Sequence, residues 1–181
     1  MDHLDDTELM AHVRGGRGSA HLAVLFDRHH RPLYGFLYRL TGQRPLCEDL
    51  VQEVFLRVLR HAGSFRPGAA FRPWLYRIAR NVLADHGAQR WHLPLEDQEH
   101  LAAQGPSAHT LLEASRDRER LAAALGRLPR DKQELLLLSR DPDFSCADLA
   151  GMFGCTAGAV KVRVHRALQE LRNHFFEAEA R

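Results

Sequence analysis

The 181-residue sequence has almost no cysteine: Cys47, Cys146 and Cys155 are the only three, an odd number with no CxxC spacing. That argues against a disulfide framework or a ready-made zinc site, and all three are expected to be small buried apolar side chains. Long apolar runs are missing too. No segment approaches the ~18 uninterrupted apolar residues of a membrane span, and the N-terminus, Met1-Asp-His-Leu-Asp-Asp6, lacks the basic and apolar regions of a secretory signal. A cytoplasmic location is expected. An excess of one charge is also lacking, with 25 Lys+Arg against 23 Asp+Glu for a net +2. The whole-chain balance therefore announces no nucleic-acid partner. Lys132 and Lys161 are the only lysines and Ile78 the only isoleucine, a bias that fits a GC-rich genome better than any function.

What the sequence does have is helical periodicity nearly throughout, with no convincing period-2 alternation bounded by turn residues. The expected fold is all-α. Helices are predicted from about Asp5 to Gly15, Ser19 to Thr41, Leu46 to His61, and Pro73 to Gln89. From His92 to Ser107 the chain carries Pro94, Gly105 and Pro106 with Glu96, Asp97 and Glu99 and no Lys or Arg, a composition suited to a linker. Helical patterning resumes near Ala108, runs to Pro129, continues from Asp131 to Ser139, and ends in two helices flanking Gly154. Two small helical domains follow, 1–91 and 110–181, joined by a linker at 92–109.

Three segments carry candidate chemistry. In the Leu46–His61 helix, Cys47, Leu50, Val51, Val54, Phe55 and Val58 form a core-facing stripe. Asp49, Gln52, Glu53, Leu56 and Arg60 lie opposite, and an apolar Leu56 among acidic and amide groups suits an interface anchor within a polar rim. Next, Gly63-Ser-Phe-Arg-Pro-Gly-Ala-Ala-Phe71 places Phe65 and Phe71 beside Arg66 and Arg72, ahead of a helix with Trp74, Arg77, Arg80 and Asn81 on its outer side or flank. Arginine, amide and aromatic groups together suit phosphate contact and base stacking on single-stranded nucleic acid. At least two of the three aromatics, Phe65, Phe71 and Trp74, are expected to be core.

Finally, Ser145-Cys-Ala-Asp148 reads as a capping box, Gly154 as a tight turn, and Thr156 as the cap of a helix with Val160, Val164, Ala167, Leu168 and Leu171 inward. Gly158, Lys161, Val162, His165 and Arg166 form its opposite face, with Arg163 on the shoulder. Between Thr156 and His174 the cations Lys161, Arg163, Arg166 and Arg172 face one anion, Glu170, a local basic surface that the whole-chain sum conceals. A helix-turn-helix of this kind places Val162 to meet a thymine methyl and Arg166 a guanine edge or phosphate.

Glu48-Asp-Leu-Val-Gln-Glu-Val-Phe-Leu-Arg57, Phe71-Arg-Pro-Trp-Leu-Tyr-Arg-Ile-Ala-Arg-Asn81, and Leu128-Pro129 followed by Leu149 through Ala167 occur in the order found in bacterial sigma factors. The chain resembles the extracytoplasmic-function (ECF) type, which consists of regions 2 and 4 alone. The resemblance spans nearly the whole chain and implies a non-catalytic initiation factor that directs core RNA polymerase to promoters and assists melting. It further implies that Asp49, Gln52, Glu53 and Leu56 grip the clamp coiled coil of the polymerase. The segment from Ser64 through Phe65, Arg66, Phe71, Arg72, Trp74, Arg77, Arg80 and Asn81 would open and read the minus-10 element. Thr156, Gly158, Lys161, Val162, Arg163, His165 and Arg166 would read the minus-35 duplex. An anti-sigma protein is the further partner it implies. Two departures stand out: Val162 occupies a place where the family more often has Ser, and Asp141-Pro-Asp-Phe144 replaces the usual short Gly-containing turn.

Other readings compete. A stand-alone helix-turn-helix regulator with a helical sensor domain would not need the acidic stripe or the aromatic-arginine loop. A metal-dependent hydrolase using His29, His30, Asp85 and His86 would need His before Asp on one helix, and the order here is reversed. The twelve histidines show no HExxH spacing, so no metal and no cofactor is expected.

Overall fold

The computed structural model describes residues 3–16, 18–86 and 108–177, with side chains from residue 116 onward in the last segment. Among the described residues are eight α-helices, one 3-10 turn and no strand. The first four helices are α1 (Asp6–Arg14), α2 (Gly18–Thr41), α3 (Arg44–Arg60) and α4 (Phe71–Asp85). The second half holds α5 (Ala108–Gly126), α6 (Arg130–Ser139), α7 (Cys146–Phe153) and α8 (Ala157–Glu177).

Local chemistry accounts for the boundaries. Asp5 and Glu8 cap α1 reciprocally, each side chain accepting from the other's backbone N–H at 2.8 Å. Helix α4 begins at Phe71, two residues before the expected start, so Pro73 is its third helical residue. The substitution of a ring for an N–H costs nothing there, because the first four N–H groups of a helix have no intrahelical acceptor. Of the expected linker at 92–109, residues 92–107 lie outside the described residues, and α5 begins at Ala108, two residues before the boundary expected for the second domain.

Leu25, Leu33, Leu37, Leu50, Val54, Leu75 and Val82 are completely buried between α2, α3 and α4. Truncating any of the leucines to Ala is expected to cost about 2–5 kcal/mol. A smaller cluster of Leu128, Leu136 and Ala167, with Leu125, Val164 and Leu171 against it, centres on α6 and α8. The main core does not stop at the first four helices. Leu135, Leu138, Phe144, Leu149, Met152 and Val160 belong to it, so α6 and α7 pack directly on α2 and α4. The two halves expected as tethered units are in contact.

Two burial expectations are corrected. Only Cys47 is buried, held by the Thr41 hydroxyl at 3.0 Å; Cys155 is half-buried and Cys146, the first residue of α7, is exposed. Leu168, expected inward, is 41% exposed, because α5 covers only part of α8 and leaves an apolar groove lined by Leu121, Leu168, Leu171, Phe175 and Phe176.

Candidate nucleic-acid interface

The outer stripe of α3 is displayed as its periodicity requires. Asp49, Gln52 and Arg60 are exposed, Glu53 is half-buried, and Leu56 is 48% exposed. Leu59 is equally displayed. It escapes the sequence reading, although its spacing of three from Leu56 puts both on one face. Arg57 ties this face to α4: it donates to Glu53 at 2.8 Å and to Asp85 at 2.5 Å. The hydrogen bond from Arg57, with Arg60 nearby, holds the Glu53 carboxyl below its ordinary pKa. Three of the four groups a hydrolase would need are engaged by other residues. Asp85 is paired with Arg57, His29 with Asp6 at 2.6 Å, and His30 with the Phe26 carbonyl.

The second candidate surface is α4 with the loop before it. Phe65, Phe71 and Trp74 are buried, packed on one another with ring centroids 5.2 to 6.3 Å apart. They are therefore core in this conformation instead of displayed stacking platforms: the loop is short, and three large apolar rings gain most by burying one another. Arg66, Arg77 and Asn81 are exposed. Arg72 and Arg80, on which the sequence reading places DNA contacts, are instead held by the second half of the chain, with side chains 18% and 20% exposed. Tyr76, also on α4, packs edge-on against Phe144 at 5.1 Å.

The third surface is the helix-turn-helix. Ser145 and Asp148 form the expected capping box on α7. Gly154 closes α7 in the left-handed region at φ 61° and ψ 42°, its N–H bonded to the Ala150 carbonyl. Thr156 then caps α8 by accepting from Ala159 N–H at 3.2 Å. With Val160 and Ala167 buried beneath, Thr156, Gly158, Lys161, Val162, Arg163, His165 and Arg166 are all exposed. A Cβ on Gly158 would meet nothing but the Thr156 hydroxyl at 4.0 Å, so internal packing does not demand glycine there. Val162, half exposed at 50%, is an apolar side chain in a basic surface, of the kind that can meet a thymine methyl in a major groove.

The sigma-70 region 2 family matches residues 25–92 and the sigma-70 region 4 family residues 118–171. The RNA polymerase sigma factor CarQ of Myxococcus xanthus is 34% identical over 163 residues, 86% of this chain and 89% of CarQ. The ECF RNA polymerase sigma factor SigM of Mycobacterium tuberculosis is 36% identical over 171 residues, 92% of this chain and 82% of SigM. The chain belongs to the ECF sigma factors. Most of α2, with α3 and α4, thus lies within region 2, and α6, α7 and most of α8 within region 4. Among solved structures, the sigma factor RpoE of Bartonella quintana, crystallised with the anti-sigma factor NepR, is 26% identical with a TM-score of 0.62, covering 84% of this chain and 94% of that one. CnrH, in complex with the cytosolic domain of CnrY, shares the fold at a TM-score of 0.69 and 24% identity, over 93% and 95% of the two chains. As an ECF sigma factor, the chain directs RNA polymerase to promoters.

Proposed function

We propose that the three surfaces divide the work of initiation. The α3 stripe of Asp49, Gln52, Glu53 and Leu56 docks on the clamp coiled coil of core polymerase. Its apolar centre lies within polar neighbours, the arrangement that concentrates binding energy at an interface. Region 2's Arg66, Arg72, Arg77, Arg80 and Asn81 hold the melted minus-10 strand, while Phe65, Phe71 and Trp74 set the shape of the loop from below. The basic face of α8, from Thr156 to Arg166, reads the minus-35 duplex. The protein works by binding, with no catalytic residue, and acts in the cytoplasm; no helix among the described residues is long and apolar enough to cross a membrane. An anti-sigma protein is the further partner, as in the RpoE complex with NepR.

The observation that carries this reading is the display of all seven α8 candidates on one capped helix while their apolar neighbours are buried. Transcription in vitro with core polymerase on a fragmented genome of the source organism tests it. Promoter-specific starts that require this protein are expected; failure to bind core polymerase would refute the polymerase-docking role.

A further inference from the structure

Region 4 closes over the face of α4 through the segment Asp141-Pro-Asp-Phe144. Arg72 forms ion pairs with both Asp141 and Asp143. Its guanidinium also lies against the Tyr76 and Phe144 rings, 5.6 and 5.3 Å from their centroids. Two turns further along α4, Arg80 donates to Glu134 and to the Met152 carbonyl, each at 2.6 Å, and lies 3.9 Å over the Phe153 ring. Glu134 is only 5% exposed, and a buried carboxylate is tolerated only while it is paired; Arg80 and Arg130 supply the partners.

We propose that this contact is an autoinhibitory latch: the Asp141 and Asp143 carboxylates take the place of nucleic-acid phosphates on Arg72, and Glu134 does so on Arg80. The latch rests on the reading of α4 as a DNA-binding face. Carboxylate and phosphate are the two anions that a guanidinium fork binds best, so closed latch and bound strand compete for the same donors. The closure is also imperfect. Arg72 Nε is buried with no acceptor, a cost that weakens the closed state and that a phosphate oxygen would remove. The contact joins these ion pairs to apolar packing of Phe144, Leu149 and Met152 on region 2, and contacts between domains of one chain open and close unless they are both large and hydrophobic. Salt and single-stranded DNA both favour the open form, the first by screening and the second by competition.

The test uses the full chain carrying Asp141→Asn and Asp143→Asn. The amide oxygen introduced by Asp141→Asn can still accept from the backbone N–H at position 143, as the Asp141 carboxylate does at 3.1 Å, so the loop keeps its local hydrogen bond. Two measurements are paired: radius of gyration by small-angle X-ray scattering, and anisotropy of a fluorescein-labelled single-stranded DNA of mixed sequence. A control, Asp27→Asn with Glu119→Gln, removes the same charge elsewhere. The latch variant is expected to expand and to bind the strand about tenfold tighter, as when a masked state of tenfold excess is removed, while the control does neither. No expansion, or equal tightening in the control, overturns the latch. Expansion with unchanged DNA affinity leaves the closure real but refutes α4 as the strand-binding face, and the masking with it. Should the double variant fold poorly, Asp143→Asn alone alters a side chain 63% exposed, and scattering of the unaltered protein across a salt series reads the same opening.

Discussion

Replacing Gly154 by Ala is expected to destabilise region 4 by a purely conformational route. The residue sits at φ 61° and ψ 42° between α7 and α8, and a Cβ there would have nothing within 4 Å. No packing clash enters, so the cost is the intrinsic left-handed penalty of an L-residue, about 1–2 kcal/mol. Asn, whose side chain tolerates this region, should cost less than Ala. Gly158→Ala is the opposite case. It lies in the first turn of α8, its Cβ would meet only the Thr156 hydroxyl at 4.0 Å, and the lost freedom of the unfolded chain should stabilise by about 0.4–1 kcal/mol. Urea unfolding of the three variants, followed by circular dichroism, reads the difference. With m near about 2 kcal/mol/M, Gly154→Ala should lower the midpoint by about 0.5–1 M without changing m, and Gly158→Ala should raise it. A midpoint for Gly154→Ala equal to that of the parent, or below it for Asn but not Ala, would refute the assignment of strain to the turn. Because the added methyl of Gly158→Ala lies on the proposed duplex-reading surface, that variant should be more stable yet bind a minus-35 duplex less well.

Asp49→Lys or Glu53→Lys should weaken binding to core polymerase about tenfold, mostly by disturbing charge complementarity, and leave duplex binding by α8 unchanged; undiminished core affinity in a pull-down titration would reject α3 as the docking helix. Arg166→Ala should cost about 1–3 kcal/mol on its cognate duplex if the side chain reads a base. Loss that is equal on every sequence tested would make it a phosphate contact. At Asp6, burial alone would raise the carboxyl pKa, but hydrogen bonds from His29 and Arg28 outweigh it and the net shift is downward. A depressed carboxyl stabilises the fold above its unfolded pKa and loses that contribution as the pH falls through the folded one. Asp6→Asn should therefore flatten the loss of stability below about pH 4, and an unchanged acid limb in thermal melts would show that the pair contributes nothing.

Much of the molecule is legible in one sequence. Apolar spacing identified the buried stripe of α3 residue by residue, since Cys47, Leu50, Val51, Val54, Phe55 and Val58 are all buried, and side chains on a helix repeat at a known angle. Ser145, Gly154 and Thr156 announced the helix-turn-helix because caps and left-handed turns restrict residue type locally. The aromatic loop was less legible. Composition alone does not distinguish rings that stack on a base from rings that pack on each other, and Phe65, Phe71 and Trp74 do the latter. Nor does periodicity say how completely a neighbour covers a stripe, which is why Leu168 is more exposed than its position on α8 suggests.

The eight helical segments in outline, the caps of α7 and α8, the basic face of α8 and the acidic, leucine-centred face of α3 are written in the sequence, because each depends on residues within a few turns of one another. Only the tertiary structure decided what covers α4. Arg72 and Asp141 are 69 positions apart and Arg80 and Glu134 are 54 apart, and a charged side chain carries no local mark of the partner it will meet. An outward arginine reads alike whether phosphate or carboxylate awaits it; packing α6 and α7 on α4 put carboxylates there.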